Sequence, residues 1–160
     1  MADELSQMAL ELLQRAYQLQ MQGEWELAIE LYRRSIALRP TAEAHTFLGW
    51  TYRLQGRLED AIAECKKAIE VDPSFGNPYN DIGAYLIELD RAAEAIPWLE
   101  QATKSQRYES FHYPWYNLGR AYSAIEHYRK AQECFAHSLD IEPDYRLAVE
   151  ALARLKRMIQ

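Results

Sequence analysis

The sequence predicts an all-α fold, an α-solenoid of four helix–turn–helix repeats closed by one further helix. The first observation is a recurring small residue whose spacings are 33, 34 and 36 residues: Ala16, Gly49, Gly83 and Gly119. The second is an alanine that follows each of them with the same spacings: Ala28, Ala61, Ala95 and Ala131. Because two independent markers drift together, the chain contains an internal repeat, and periods of this length are typical of stacked helical arrays.

Each repeat reads as two amphipathic helices joined by a tight turn, since apolar residues recur three and four positions apart in both halves. Gly23 and Gly56 lie between the halves of the first two copies, where the chain must turn. Asp90 and Glu126 hold that place in the later copies. Those two turns either need no positive φ or tolerate its cost.

Prolines mark the helix boundaries. Three of them close second helices: Pro40, Pro73 and Pro143. Asn77 and Pro78 fit an N-cap followed by a proline in the first helical turn, and Pro114 fits a first turn in the same way. Pro97 is predicted inside a second helix, where it causes a kink or a lost hydrogen bond.

The fourth copy carries the clearest motif, W-x-x-L-G-x-x-Y, formed by Trp115, Leu118, Gly119 and Tyr122. This motif and the period resemble those of the tetratricopeptide repeat family over about residues 9–145. The first copy departs most, because Arg15 and Ala16 replace the usual Leu-Gly pair. The resemblance implies one domain over residues 1–160, with repeats at about 9–41, 42–75, 76–111 and 112–145.

The segment of about residues 146–160 is predicted to form a capping helix, because the last helix pair exposes an apolar side that needs a cover. Basic residues lie between the apolar residues of this segment. The apolar residues are Leu147, Val149, Leu152, Leu155 and Ile159. The alternative role for this helix is a homodimer contact.

The resemblance also implies that the first helices line a concave groove, which binds a peptide segment or helix of a partner protein. Counting around the helices from the packing stripe gives the residues that face this groove. These candidate binding residues are Leu13, Tyr17, Gln20, Thr46, Phe47, Trp50, Arg53, Asn80, Ile87, Tyr113, Tyr116, Asn117 and Arg120. Aromatic and arginine side chains are common in binding hot spots, although the rings could instead fill space between neighbouring helices.

The chemistry of these positions favours a partly apolar partner of mixed charge. Asn80 and Asn117 offer donors and acceptors to a partner's backbone. Family members that clamp acidic chaperone tails use lysine, arginine and asparagine at set positions, and here Tyr17, Phe47 and Asp81 occupy such positions. Binding of a chaperone tail is therefore not expected.

The segment of residues 104–111 carries two extra residues between the third and fourth copies. This insertion is either neutral surface variation or a binding edge.

Other function classes lack support in the sequence. The net charge of −6 argues against a nucleic-acid partner. No signal peptide and no membrane span is predicted, which favours a cytoplasmic protein without membrane insertion.

The histidine and cysteine residues are not arranged for chemistry. His45 is predicted to lie in the core, and Cys65 and Cys134 are predicted to be buried free thiols, with a disulfide between them as the alternative. No metal site, cofactor motif or catalytic constellation is present, so the chain is predicted to be a non-catalytic scaffold or adaptor. The alternative is a self-associating module that uses the capping helix or the convex surface.

Overall fold

The computed structural model describes residues 1–159, and every helix predicted from the repeat is present in it. The helices are α1 Ala2–Met21, α2 Trp25–Leu38, α3 Ala42–Leu54, α4 Leu58–Val71, α5 Asn77–Glu88, α6 Ala92–Thr103, α7 His112–Ala124, α8 Tyr128–Ile141 and α9 Arg146–Met158. The all-α class, the four helix pairs and the ninth helix are therefore confirmed.

The chain divides into two compact units, one from Met1 to Pro78 and one from Tyr79 onward. In the first unit, α1 packs on α2, α2 on α3 and α3 on α4. In the second unit, α6 packs on α7, α7 on α8 and α8 on α9. The organisation of all four repeats as one domain stays a prediction.

The recurring small residues have the predicted packing role. Ala16 has no exposed surface. A Cβ added to Gly83 would overlap the side chain of Leu99, and one added to Gly119 would overlap the ring of Phe135. Because both positions are filled by the second helix of the same pair, the small residue allows the two helices to approach closely.

Two residues after the end of each first helix, the chain has a residue in the left-handed conformation. The φ angles are 82° and 78° at the two glycines and 61° and 64° at the two acidic residues: Gly23, Gly56, Asp90 and Glu126. In α7 the His127 amide donates to the Tyr122 carbonyl at 2.9 Å and the Glu126 amide donates to the Ser123 carbonyl at 3.0 Å, which is the Schellman pattern. The sequence left open whether the turns at Asp90 and Glu126 need a positive φ. In the structure both residues have a positive φ, so these turns tolerate its cost.

Replacing Glu126 with glycine is expected to raise the free energy of unfolding by roughly 0.5–1 kcal/mol, since glycine removes the left-handed strain but adds unfolded-state entropy. The converse change, Gly56→Ala, introduces the same strain into open space and is expected to lower it by a similar amount. Urea unfolding followed by circular dichroism measures both. A destabilised Glu126→Gly variant would contradict the assignment.

The prolines lie where the sequence places them. Pro78 and Pro114 fall in the first turns of α5 and α7 and are fully buried. Pro97 lies inside α6, as predicted. α5 begins at Asn77 itself, one residue earlier than the N-cap assignment, a difference within the usual uncertainty of helix ends.

The polar and thiol side chains predicted in the core are buried. His45 is 8% exposed, and its Nδ1 lies 2.8 Å from Glu64 Oε2. Burial acts to raise the pKa of Glu64, but hydrogen bonds with His45 and Lys67 outweigh it and lower that pKa. Cys65 and Cys134 are buried free thiols, as predicted. Burial raises the pKa of Cys134 to about 11, so this thiol stays protonated and unreactive at neutral pH.

Helix α9 caps the last helix pair. Ala151 and Leu155 of α9 join Ala131 and Phe135 of α8 in one apolar cluster, which confirms the predicted cover. Leu147 of the same helix remains 50% exposed, so only one side of α9 is buried. Within residues 1–159, no helix is both long and apolar enough to cross a membrane.

Candidate partner-binding surface

The candidate residues taken from the repeat register differ widely in exposure. Four are buried: Gln20, Thr46, Asn80 and Asn117. Seven are partly exposed: Leu13, Phe47, Trp50, Arg53, Ile87, Tyr116 and Arg120. Two are exposed: Tyr17 and Tyr113. Within each compact unit, the partly exposed and exposed residues are the candidates that solvent reaches.

Two of the buried candidates form hydrogen bonds inside the first unit. Gln20 Oε1 accepts from the Tyr32 hydroxyl at 2.6 Å and from Thr51 Oγ1 at 2.9 Å. Thr46 Oγ1 donates to the Ala42 carbonyl at 2.7 Å. In this structure both side chains therefore stabilise the interior of the repeats.

The two asparagines bind each other rather than facing outward. Asn117 Nδ2 donates to Asn80 Oδ1 at 2.9 Å, which links α7 to α5. Arg120 donates from a terminal guanidinium nitrogen to Asn117 Oδ1 at 3.0 Å. The expectation that both amides face a partner's backbone does not fit this geometry, because their side chains serve one intrachain network. The guanidinium of Arg120 keeps further N–H donors for a partner.

The aromatic side chains around α7 form one cluster, which we call the α7 aromatic surface: His112, Tyr113, Tyr116, Arg120 and Tyr145. The Tyr145 ring meets those of Tyr113 and Tyr116 nearly edge-on, with centroids 5.5 and 5.3 Å apart. The His112 ring lies 4.9 Å from Tyr145 in the same geometry. The Arg120 guanidinium carbon lies 5.9 Å from the centre of the Tyr116 ring. Tyr113 is 43% exposed, so the cluster reaches the surface.

Tyr145 is a member of this surface that sequence reasoning misses, since the repeat pattern places it at the boundary between the fourth repeat and the capping helix. It is the residue immediately before α9, and burial raises its pKa to about 12, with Tyr116 and Tyr113 adding to the effect. A signal is present in the sequence, because Phe75, Phe111 and Tyr145 recur at spacings of 36 and 34 residues. The first two stand just before the first helices α5 and α7, and the third stands just before the capping helix α9.

Asp81 and Tyr108 extend the surface toward α5. Burial raises the pKa of Asp81 to about 7, while its hydrogen bond with Asn80 acts in the opposite direction. No cationic side chain within residues 1–159 offsets that burial. Burial also raises the pKa of Tyr108, as do the negative charge of Asp81 and the neighbouring Tyr113 and Tyr145. Tyr108 therefore connects the inserted segment of residues 104–111 to the α7 aromatic surface.

A smaller aromatic group lies in the first unit. The Phe47 ring lies 5.4 Å from Tyr17 and 6.3 Å from Tyr32, so it is largely packed between them. Leu13 and Phe47 also border a cavity of about 220 Å³, which is lined by α1, by the end of α2 with the turn after it, and by α3. Trp50 and Arg53 are partly exposed further along α3. Ile87 is the predicted site residue at the end of α5 and is also partly exposed.

Comparison with known families identifies the repeat. Two family models described as tetratricopeptide repeat match the chain, over residues 13–74 and 112–145. The chain belongs to the tetratricopeptide repeat (TPR) family. Its helix pairs are therefore TPR units, and the resemblance seen in the sequence is confirmed.

Two individual proteins illustrate what the chain is similar to. A protein SGT1 homolog of Oryza sativa subsp. japonica is 37% identical over 78 residues, 48% of this chain and 21% of that protein. Tetratricopeptide repeat protein 21B of Mus musculus is 28% identical over 117 residues, 73% of this chain and 9% of that protein. The chain thus spans about a fifth or less of the length of these two relatives.

Solved structures share the fold. PilF of Pseudomonas aeruginosa matches with a TM-score of 0.87 and 24% identity, over 96% of this chain and 68% of that one. The first TPR of Spaghetti (RPAP3), bound to the HSP90 peptide SRMEEVD, matches with a TM-score of 0.69 and 21% identity, over 74% of this chain and 93% of that one. At these identities the likeness establishes the TPR fold alone.

Proposed function

We propose that this TPR chain is a non-catalytic, cytoplasmic binding module that holds a peptide segment or helix of a partner protein against its first helices. The observation that carries the proposal is the α7 aromatic surface, in which partly exposed tyrosine rings stand beside an arginine. Tyrosine and arginine are enriched in binding hot spots, because they combine large contact area with directional hydrogen bonds. The rings already pack on one another, so little side-chain freedom is lost on binding.

The charges around this surface indicate the chemistry of the partner. Asp81 is a partly exposed carboxyl whose pKa is raised to about 7 by burial, so a lysine or arginine of a partner would stabilise its charged form. Arg120 offers N–H donors to a carbonyl or carboxylate, and the tyrosine rings accept apolar side chains. We therefore expect a partly apolar segment that carries at least one basic residue, with Tyr108 making the inserted segment an edge of the site.

An acidic chaperone tail fits this surface poorly, although the first TPR of Spaghetti (RPAP3) binds the HSP90 peptide SRMEEVD. Tyr17, Phe47 and Asp81 occupy positions where the tail-binding family members present basic or amide side chains. Asp81 would also repel the acidic residues of such a peptide. We infer that this chain selects a different class of segment.

Selection from a library of displayed peptides tests the proposal, because the library samples many combinations of apolar and charged residues. The chain is immobilised, and enriched peptides are tested again on a Tyr113→Ala/Arg120→Ala variant. A matched control, Arg129→Ala/Arg154→Ala, removes two exposed basic side chains of α8 and α9, away from the α7 aromatic surface. We expect enriched peptides to contain apolar and basic residues, to bind the control and to lose their binding to the variant.

Two outcomes would contradict the proposal. Peptides that bind the Tyr113→Ala/Arg120→Ala variant as well as the wild-type chain would place binding elsewhere. A selection that enriches nothing, together with capture of only the chain itself from its source cells, would favour the alternative of a self-associating module.

A further inference from the structure

The outer side of α1 carries an apolar stripe that the peptide-binding proposal does not use. Helix α1 begins at Ala2, about two turns before the repeat motif starts. The stripe, which we call the α1 seam, consists of residues spaced alternately by three and four: Leu5, Met8, Leu12, Arg15 and Leu19. This is the spacing of the contact positions in a two-stranded coiled coil. Leu5 is 44% and Met8 51% exposed, and Arg15 is also exposed, whereas Leu12 and Leu19 are half-buried, so the N-terminal half of the seam is uncovered in the folded chain.

A groove lies beside the seam, between α1 and α2. Its volume is about 500 Å³, and it is lined by Met8, Glu11, Leu12, Arg15, Arg34, Ala37 and Leu38. The lining combines apolar side chains with one acidic and two basic residues. Such a surface suits an amphipathic helix of mixed charge.

We propose that the α1 seam pairs with the α1 seam of a second copy of this chain, in an antiparallel contact with two-fold symmetry. The seam is self-complementary when the symmetry axis passes near residue 10. Met8 then lies opposite the partner's Leu12, and Leu5 lies opposite the partner's Arg15. Because the axis repeats each contact, one pairing scheme satisfies both copies, as an isologous interface requires.

The charges support the antiparallel register. When Arg15 lies over the partner's Leu5, its methylene stem packs on the leucine and its guanidinium reaches the partner's Glu4. The axis repeats this ion pair. Glu11 faces the partner's Glu11 across the axis, and Arg34 in the same groove supplies the opposite charge. A parallel arrangement would instead place Arg15 against the partner's Arg15 and would leave both unpaired.

Sedimentation equilibrium over a wide range of protein concentration tests the proposal on the intact chain. We expect a concentration-dependent rise from the monomer mass of 18.7 kDa to twice that value. Met8→Glu should weaken dimerisation about tenfold or more, because it places a carboxylate in the seam opposite an apolar side chain. The matched control is Leu10→Glu, since Leu10 is 47% exposed on the opposite side of α1. This control should dimerise like the wild type.

A charge exchange tests the register. Glu4→Arg should weaken the dimer, and Glu4→Arg/Arg15→Glu should restore it, because the ion pair is rebuilt with reversed sign. Two results would overturn the proposal: a wild-type chain that stays monomeric at every concentration, which leaves the seam to a helix of another protein, or a dimer that survives Met8→Glu and is lost with Leu147→Glu on α9.

Discussion

Replacing Asp81 with asparagine is expected to raise the free energy of unfolding at pH 8 by roughly 2–4 kcal/mol, at about 1.36 kcal/mol per pKa unit. Burial raises the pKa of this carboxyl from 3.8 to about 7 in the folded chain. The folded state therefore binds a proton more tightly than the unfolded state between these values. Stability from this residue declines as pH rises from about 4 to about 7, and the decline is complete above the folded pKa. Asparagine cannot ionise, so it removes this loss.

Urea unfolding of the wild type and the Asp81→Asn variant between pH 4 and pH 8 measures the effect. We expect the two stability curves to converge near pH 4 and to separate steadily toward pH 8. The control is Asp140→Asn, because Asp140 is an exposed residue of α8. Equal stabilities of wild type and Asp81→Asn at pH 8 would mean that the carboxyl is well solvated or already paired.

The position of Asp81 gives this prediction a functional meaning. A carboxylate whose charged form is disfavoured by burial lowers stability at neutral pH, and such groups cluster at functional sites. Asp81 lies next to Asn80 of the amide pair and near Tyr108. We therefore expect Asp81→Asn to stabilise the chain and, at the same time, to weaken the binding of a segment with a basic residue.

Replacing Gly119 with alanine is expected to lower the free energy of unfolding by roughly 1–3 kcal/mol, although alanine favours helix formation by up to about 1 kcal/mol relative to glycine. The added methyl group would overlap the Phe135 ring. That ring is 3% exposed and packed in the cluster beneath α9, so it has no free space to enter. Gly49→Ala is expected to be milder, since its Cβ would lie 3.0 Å from the Ala61 carbonyl oxygen.

A double-mutant cycle with Phe135→Leu isolates the packing effect. On its own, Phe135→Leu should destabilise the chain, because the smaller side chain leaves space beside Gly119. In the Gly119→Ala background, the methyl group occupies part of that space. The double variant should therefore lose less free energy of unfolding than the sum of the losses of the two single variants. Strict additivity in urea unfolding would show that Gly119 and Phe135 are not in direct competition.

The repeat architecture is predictable because its signals are local and periodic. A small residue and an alanine twelve positions apart recur in all four copies, and each pair needs close contact between its own two helices. The same local logic places Pro97 inside α6 and His45 in the core. The sequence does not decide whether the backbone at Asp90 and Glu126 is in the left-handed conformation that the structure shows. An acidic residue adopts a positive φ only when the helices on both sides of the turn fix it.

The candidate site is less predictable, since it depends on contacts between repeats. The register places Asn80 and Asn117 on the predicted face, but it does not reveal that they bond to each other. Tyr145 and Tyr108 come from segments between helices, where helical counting does not apply. The raised pKa of Asp81 results from burial in the folded chain, which helical counting along one stretch of sequence does not reveal.

Titration calorimetry with a selected peptide tests the central claim, that the first helices around the α7 aromatic surface hold the partner segment. The wild-type chain, the Tyr113→Ala/Arg120→Ala variant and the Arg129→Ala/Arg154→Ala control are compared, each after circular dichroism has shown unchanged helix content. We expect the variant to bind about a hundredfold more weakly, as two hot-spot residues are lost, and the control to bind like the wild type. Equal affinities for all three proteins would contradict the claim.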